Sequence, residues 1–258
     1  MARVAWLALA PVKGLRLVSV ESTALGPTGI DGDRRYLLVD ADGRPVNAKR
    51  CPRLLTVVPE VAGEGRLRLR FPDGTVAEGE VELGGRIVTT LYGGPIAGRL
   101  VLGPWSAALS EHAGMELRLV QTEREGEGFD RGARAAVSLL STGSLRALAA
   151  AAGVEGPVDG RRFRMTVGVE AGEHAEDGWL GRRLRVGGAV LLPRDRVGRC
   201  AVTTRHPETG ERDLDTLAAI ASYRGDVASA ERLPFGVWCE VLEPGPVAVG
   251  DSVELLVD

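Results

Sequence analysis

Polar and apolar residues alternate along much of the first half of the chain. From Arg66 to Arg70 the run RLRLR puts every second side chain on one face, the period of a strand with one face on a core and the other in water. An Asp-Gly pair at 73–74 follows and a second run returns, so RLRLRFPDGTVAEGEVEL predicts a β-hairpin. RYLLVDADGRPVNA repeats the device with Asp-Gly at 42–43. The opening MARVAWLALAPVKG predicts a first strand. Its apolar run is short and ends in Pro11 and Lys13, which fits an export signal poorly. No apolar run approaches the span of a membrane helix, so no membrane is expected as a partner. Evenly spaced hairpins suggest a barrel or a sandwich.

The second half mixes strands with short helices. Gly103 to Arg118 predicts a short helix and then a strand. Glu123 to Ala135 (EREGEGFDRGARA) is charged, Gly-rich and aperiodic, which predicts a loop and a division into residues 1–122 and 123–258. Val137 to Leu140 predicts a strand. Ser141 or Thr142 can cap a helix running from about Ser144 to Ala152, with Gly153 as its stop. FRMTVGVE and LRVGGAVLLP predict further strands, LDTLAAIASYR a short helix, and GVWCEVLEPGPVAVGDSVELLV two closing strands around a Pro/Gly turn. The expected fold class is mainly β with a few short helices (α+β), an N-terminal barrel-like part packing on a C-terminal one. The pattern contains no internal repeat.

Composition narrows the function classes. A net charge of −3 argues against nucleic acid or an anionic membrane as partner. Three cysteines, Cys51, Cys200 and Cys239, lack the close spacing of a disulfide framework, a zinc ribbon or an iron–sulfur site, and suggest a reducing, cytoplasmic setting. GPTGIDGDRR and YGGPIAG are Gly-rich but match neither a P-loop nor a dinucleotide fingerprint, and they read as turns. Three histidines, with neither G-x-S-x-G nor H-E-x-x-H, give poor support to a hydrolase.

Cys200 lies in RDRVGRCAVTTRHPETG. A lone cysteine in a strand is usually a small buried hydrophobe. Here Arg196 and Arg199 flank it and Arg205 follows, and positive charge favours the thiolate, which is both a nucleophile and a soft-metal ligand. Cys51 and Cys239 lack that setting and read as structural. Lys13, Arg34 and Arg164 sit at or inside apolar strand patterns. They are either solvated strand ends or, if they converge, a pocket for a phosphate or another anion.

Several motifs in order resemble one family. APVKG followed by DGDRRYLLVDADGRPVNAKRCPRLL resembles the N-terminal β-barrel that precedes MOSC domains. FRMTVGVE, AEDGWLGRRLRVGGAVLLPRDRVGRCAVTTRHPETGERDLDTLAAIASYR and FGVWCEVLEPGPVAVGDSVELL resemble the MOSC domain, named for the C-terminal part of molybdenum cofactor sulfurase. Within that family the chain is similar to the amidoxime-reducing component and its bacterial relatives. The resemblance implies a molybdenum cofactor (Mo-molybdopterin), independence of pyridoxal phosphate, and a metal ligated by one cysteine, at the position of Cys200. It assigns cofactor binding to Lys13, Arg34, Arg164 and Arg199, to Arg134 and Ala135 in the loop before AVSLLST, and to Trp238 at a position normally tyrosine. The chain departs from the pattern at Gly14, Thr166 and Gly198, where serine, asparagine and serine are usual. His206 in HPETG replaces an aspartate, as either a proton donor or a turn residue.

The implied activity is that of an oxidoreductase. Molybdenum would cycle between Mo(VI) and Mo(IV) and take oxygen from a small N-hydroxylated or N-oxide substrate, releasing water after two protons and two electrons. The chain ends at Asp258 without the four clustered cysteines of a fused ferredoxin. A separate ferredoxin, flavoprotein or cytochrome is therefore expected as electron donor. The alternatives are a sulfur carrier with a persulfide on Cys200 and a cofactor-binding module without turnover. The cofactor is expected in a cleft between the two parts, with Lys13 and Arg34 on one side and Cys200 on the other.

Overall fold

The computed structural model describes residues 2–61, 65–123, 128–130 and 132–256. The chain is mainly β, with three short α-helices among the described residues: α1 (Trp105–Ala113), α2 (Thr142–Ala152) and α3 (Thr216–Arg224). The C-terminal part is a closed barrel. Its staves run in the order Val167–Glu170, Val137–Ser141, Pro234–Glu243, Ala189–Gly198, Leu184–Val186, Ser252–Leu255 and Ala2–Leu9, and the last pairs with the first. Closure leaves no stave with an open edge. Inward-facing Leu7, Leu139, Val167, Val186, Leu191 and Val237 fill the interior. Staves pair antiparallel except Val137–Ser141 with Val167–Glu170, whose parallel pairing needs a crossover and takes it through α2.

Local chemistry sets the ends of these helices. The Ser141 hydroxyl accepts the N–H of Ser144 at 3.0 Å, and Gly153 ends α2 at φ 66°. Asp215 caps α3 by accepting the N–H of Ala218 at 3.1 Å. Leu145, Leu148 and Ile220 press both helices onto one outer face of the barrel through Phe163 and Phe235.

The N-terminal part stacks two sheets. One holds Glu82–Leu91, Gly94–Leu102, Arg118–Thr122, Tyr36–Val39 and Val12–Lys13 in that order, with Pro45–Val46 beside Tyr36–Val39. The other holds Val58–Val61, Arg66–Arg70 and Val76–Glu80. Leu38, Leu67, Leu69, Leu119 and Trp105 of α1 form the core between them. Both Asp-Gly hairpins are present: Tyr36–Val39 pairs with Pro45–Val46, and Arg66–Arg70 with Val76–Glu80.

Three expectations change. The first strand is a stave of the C-terminal barrel, and Ser22–Gly26 pairs with Gly245–Ala248. A cut between residues 122 and 123 therefore leaves these strands across from their partners, because alternation marks a strand but not its neighbour. FRMTVGVE is a strand only over Val167–Glu170; Gly160–Phe163 is a 3-10 turn that ends at Arg164 with φ 54°. The closing segment forms three strands, Pro234–Glu243, Gly245–Ala248 and Ser252–Leu255, rather than two. Within the expected loop, residues 124–127 and 131 lie outside the described residues, and Ala133–Ala135 is a single 3-10 turn. Among the described residues no helix is long and apolar enough to cross a membrane.

Candidate functional site

A cleft of about 440 Å³ opens between the two parts. One wall is built where the stave Ala189–Gly198 ends. Cys200 follows in extended backbone (φ −130°, ψ 174°) and is exposed, and its carbonyl accepts the N–H of Thr203 at 3.1 Å and the Thr203 hydroxyl at 3.0 Å. The main chain is thus anchored while the thiol stays accessible. The N–H of Gly198 donates to Oε2 of Glu231 at 2.8 Å. A side chain at 198 would run into the Cβ of Glu231, so the departure from serine makes room for that carboxylate beside the cysteine. Arg199 lines the cleft but points its donors into the wall. Nε donates to the Phe235 carbonyl at 2.8 Å and Nη1 to that of Phe163 at 2.9 Å, with the guanidinium 5.3 Å above the Phe163 ring. Its geometry suits a strut that fixes the end of the stave.

The opposite wall gathers cations. Lys13 lies on the short strand Val12–Lys13, parallel to Tyr36–Val39. Its Nζ is 2.9 Å from Tyr92 Oη and 3.5 Å from Asp130 Oδ1. Arg34 pairs with Asp33, places Nε 2.8 Å from Asp130 Oδ2, and donates from Nη2 to the Arg164 carbonyl at 3.0 Å. Arg164 lines the cleft as well, and its Nη2 is buried without a hydrogen-bond partner among the described residues. Arg34 and Arg164 both adopt positive φ, 52° and 54°. That conformation costs about 1–3 kcal/mol for a residue other than glycine and tends to persist at functional sites.

The electrostatics follow from burial and crowding. Burial pushes the Lys13 ammonium down to about 8; Asp130 opposes the shift, and Arg34 and Arg164 reinforce it. Burial and then Arg34 push Arg164 down to about 10. Burial also works against Arg34, but Asp33 and Asp130 outweigh it and hold the guanidinium above its ordinary value. Burial would raise the Asp130 carboxyl, yet Arg34 and Lys13 hold it below the usual carboxylate range. Among the described residues three cations here face two carboxylates, Asp33 and Asp130. The surplus charge and the remaining donor of Arg164 give this wall chemistry that suits an anion with several acceptor oxygens.

Lys13, Gly14, Arg34, Arg164, Gly198, Arg199, Cys200 and Trp238, expected in the cofactor site, all line this cleft. Three other expected residues do not. Arg134 is exposed on the 3-10 turn, and Ala135 borders a smaller cavity shared with Asp33 and Asp130. Thr166 is buried, its hydroxyl 3.2 Å from that of Ser138. His206 lies outside the lining, and its Nδ1 accepts the N–H groups of Glu208 and Thr209 at 3.2 and 3.4 Å. Reasoning from sequence missed Asp130, Tyr92 and Glu231. Asp130 belongs to the loop the resemblance pointed to, only nearer its start. Tyr92 was hidden in a Gly-rich stretch read as a turn. Glu231 carried no signal.

Comparison with known proteins adds to this geometry. A family model described as "MOSC domain" matches residues 122–254, and one described as "MOSC N-terminal beta barrel domain" matches residues 1–90. Similar curated proteins include molybdenum cofactor sulfurase of Drosophila erecta, 26% identical over 254 residues, covering 92% of this chain and 31% of the relative. The same protein of Drosophila yakuba is 27% identical over 249 residues, covering 90% and 31%. The chain thus spans about a third of the length of the curated relatives it matches. Among solved structures, YuaD protein from Bacillus subtilis aligns with a TM-score of 0.46 at 15% identity, over 99% of this chain and 96% of that one. YiiM from Geobacillus stearothermophilus aligns with a TM-score of 0.37 at 16% identity, over 49% and 56%.

Proposed function

Because the chain belongs to the MOSC domain family, we propose that its cleft takes up a molybdenum cofactor, with the Cys200 thiolate as ligand to the metal and Lys13, Arg34 and Arg164 receiving the phosphate-bearing pterin. The observation that carries this reading is a cleft shared by an exposed thiol and Arg164, whose buried Nη2 has no hydrogen-bond partner among the described residues. The donor set fits on both counts. A thiolate suits a metal that takes its other ligands from organic sulfur. A buried surplus of positive charge suits an organic phosphate.

When bound, the cofactor would supply two-electron oxygen-atom chemistry, which side chains lack. The residues of the chain do the rest. The hydrogen bonds from Thr203 to the Cys200 carbonyl hold the thiol in place, and Arg199 fixes the end of the stave behind it. The Glu231 carboxylate and the Trp238 ring border the space around Cys200 and would orient a small N-hydroxylated or N-oxide substrate for reduction. Electrons would come from a separate redox protein.

A sulfur-carrier reading is favoured by the curated relatives, which are molybdenum cofactor sulfurases. In that reading Cys200 carries a persulfide and the cofactor visits as a substrate. One experiment separates the two. Protein made in a host that synthesises the cofactor is analysed for molybdenum, pterin and cyanide-labile sulfur, and is then offered an amidoxime with an artificial electron donor. Equimolar molybdenum and pterin together with amidoxime reduction support the oxidoreductase. Metal and pterin without reduction leave a binding module. Labile sulfur on Cys200 without retained metal supports the carrier. Absence of all of these overturns the assignment of the cleft.

A further inference from the structure

Tyr92 is the tip of the hairpin made by Glu82–Leu91 and Gly94–Leu102, in the stretch between the two regions that match family models. Tyr92 and Gly93 form a two-residue turn with φ of 51° and 81°. Such turns match the twist of a hairpin, but their first position normally goes to Asn, Asp or Gly, because a bulky side chain is strained there. The hairpin does not need a tyrosine. Its ladder runs from Glu82 opposite Leu102 to Leu91 opposite Gly94. Nor is the ring packed into a core, since Tyr92 is 56% exposed. Its polar contacts instead cross the mouth of the cleft. Tyr92 Oη donates to Asp130 Oδ1 at 2.9 Å and accepts from Lys13 Nζ at 2.9 Å, and that ammonium lies 5.1 Å from the ring centroid.

We infer that Tyr92 is a latch on the cleft: it closes the hairpin tip over a bound organic phosphate by bonding Asp130 and Lys13, and so sets how long that ligand stays. The phenol joins a wall from the N-terminal sheet to the segment that leads into the barrel. A ligand reaching Lys13, Arg34 and Arg164 has to move the hydroxyl aside, and the bond to Asp130 re-forms behind it. The inference rests on the reading of the cleft as a molybdopterin site.

The test follows the release of pterin from purified holo-protein after dilution, in wild type, Tyr92→Phe and Tyr92→Gly. Phenylalanine removes the hydroxyl and keeps the ring. Glycine also removes the backbone strain. Both variants are expected to release pterin about tenfold faster, the factor that one hydrogen bond to a charged group corresponds to. The thermal midpoint of Tyr92→Gly is expected to equal or exceed that of wild type. Release at the wild-type rate in both variants overturns the latch. A lowered midpoint in Tyr92→Gly with unchanged release marks Tyr92 as a strut of its hairpin and also overturns it. A wild-type protein that holds no pterin overturns the cofactor reading and the latch together, so the two failures are told apart by the wild type alone.

Discussion

On the stave Pro234–Glu243, Cys239 has no exposed surface, shares a core with Leu139, Leu191 and Val237, and has its thiol pushed well up by burial. Cys200 comes just past the end of the neighbouring stave, Ala189–Gly198, and is exposed to the cleft. The same side chain is inert filling in one place and a candidate ligand in the other. What differs is whether the strand ladder continues. Inside the barrel every stave has two neighbours, and an apolar side chain is the stable choice. At the rim the ladder stops, the chain turns, and freed main-chain groups anchor side chains such as Thr203 and Glu231.

The sharpest way to break this comparison is to exchange the two cysteines for other residues. Cys200→Ala is expected to lose molybdenum to background by elemental analysis and to match the thermal midpoint of cofactor-free wild type within about 2 °C, as a surface change does. Cys239→Ser is expected to retain metal and to lose about 1–3 kcal/mol of stability in urea, because a buried hydroxyl would lack a partner. Metal retained by Cys200→Ala would show that the rim cysteine is not the ligand.

Two arginines sharpen the contrast within the cleft. Arg162 holds Asp213 through two hydrogen bonds of 2.7 and 2.5 Å, leaving its Nε buried without a partner among the described residues, whereas Arg164 has no direct ion pair there and its Nη2 is buried without a partner. Removing the cation in surplus over Asp33 and Asp130 does not harm the empty fold, while breaking a direct pair leaves a carboxylate behind. Arg164→Met is therefore expected to fold at least as stably as wild type and to bind pterin about tenfold more weakly. Arg162→Met is expected to lose about 1 kcal/mol in urea, a modest figure because Asp213 is partly exposed, with little change in pterin affinity. The opposite pattern, with Arg164→Met destabilised and Arg162→Met weak in binding, would exchange their roles.

These contrasts also show what could be read before folding. Asp-Gly at 42–43 and 73–74 sets local turns, and Ser141 and Gly153 bracket α2 with their own side chain or backbone, so hairpins and helix ends are written in short stretches. The cleft cations Lys13, Arg34 and Arg164 and the thiol of Cys200 were visible through motif resemblance. The rest depends on groups far apart in sequence. Ala2–Leu9 is plainly a strand, but its partners begin at Val167 and Ser252. Arg199, expected at the cofactor, lines the cleft, but only the fold shows that Phe163 and Phe235 offer carbonyls to its donors. Thr166 looked like a site residue until Ser138 took its hydroxyl inward. Tyr92 gains meaning only when a hairpin tip meets Asp130 across the mouth.

A smaller effect should appear with pH. The folded chain holds the Lys13 proton less tightly than an unfolded chain would, so between about 8 and the ordinary 10.5 the unfolded state binds more protons. As far as Lys13 is concerned, stability rises with pH through that window, and the charged form disfavours the fold below it. Anion binding runs the other way, because the incoming group needs the ammonium. Titration with sulfate, which stays a dianion throughout, is expected to show affinity falling severalfold between about pH 7 and about pH 9, and to show a flat profile over that range in Lys13→Met. A flat profile in wild type would remove Lys13 from the receptor.

The smallest expected effect is at His206, which stands for the rim beyond the cleft. Its ring nitrogen is engaged by the turn it begins, accepting the N–H groups of Glu208 and Thr209, and its side chain does not line the cleft. An asparagine offers a side-chain oxygen to the same two donors, the ordinary chemistry of such turns. His206→Asn is therefore expected to keep amidoxime reduction within about twofold of wild type across the pH range, with an unchanged thermal midpoint. If the variant instead loses one limb of the pH–rate profile at unchanged stability, protons reach the substrate from this turn. The boundary between scaffold and reactive site would then lie farther along the chain than the end of the stave.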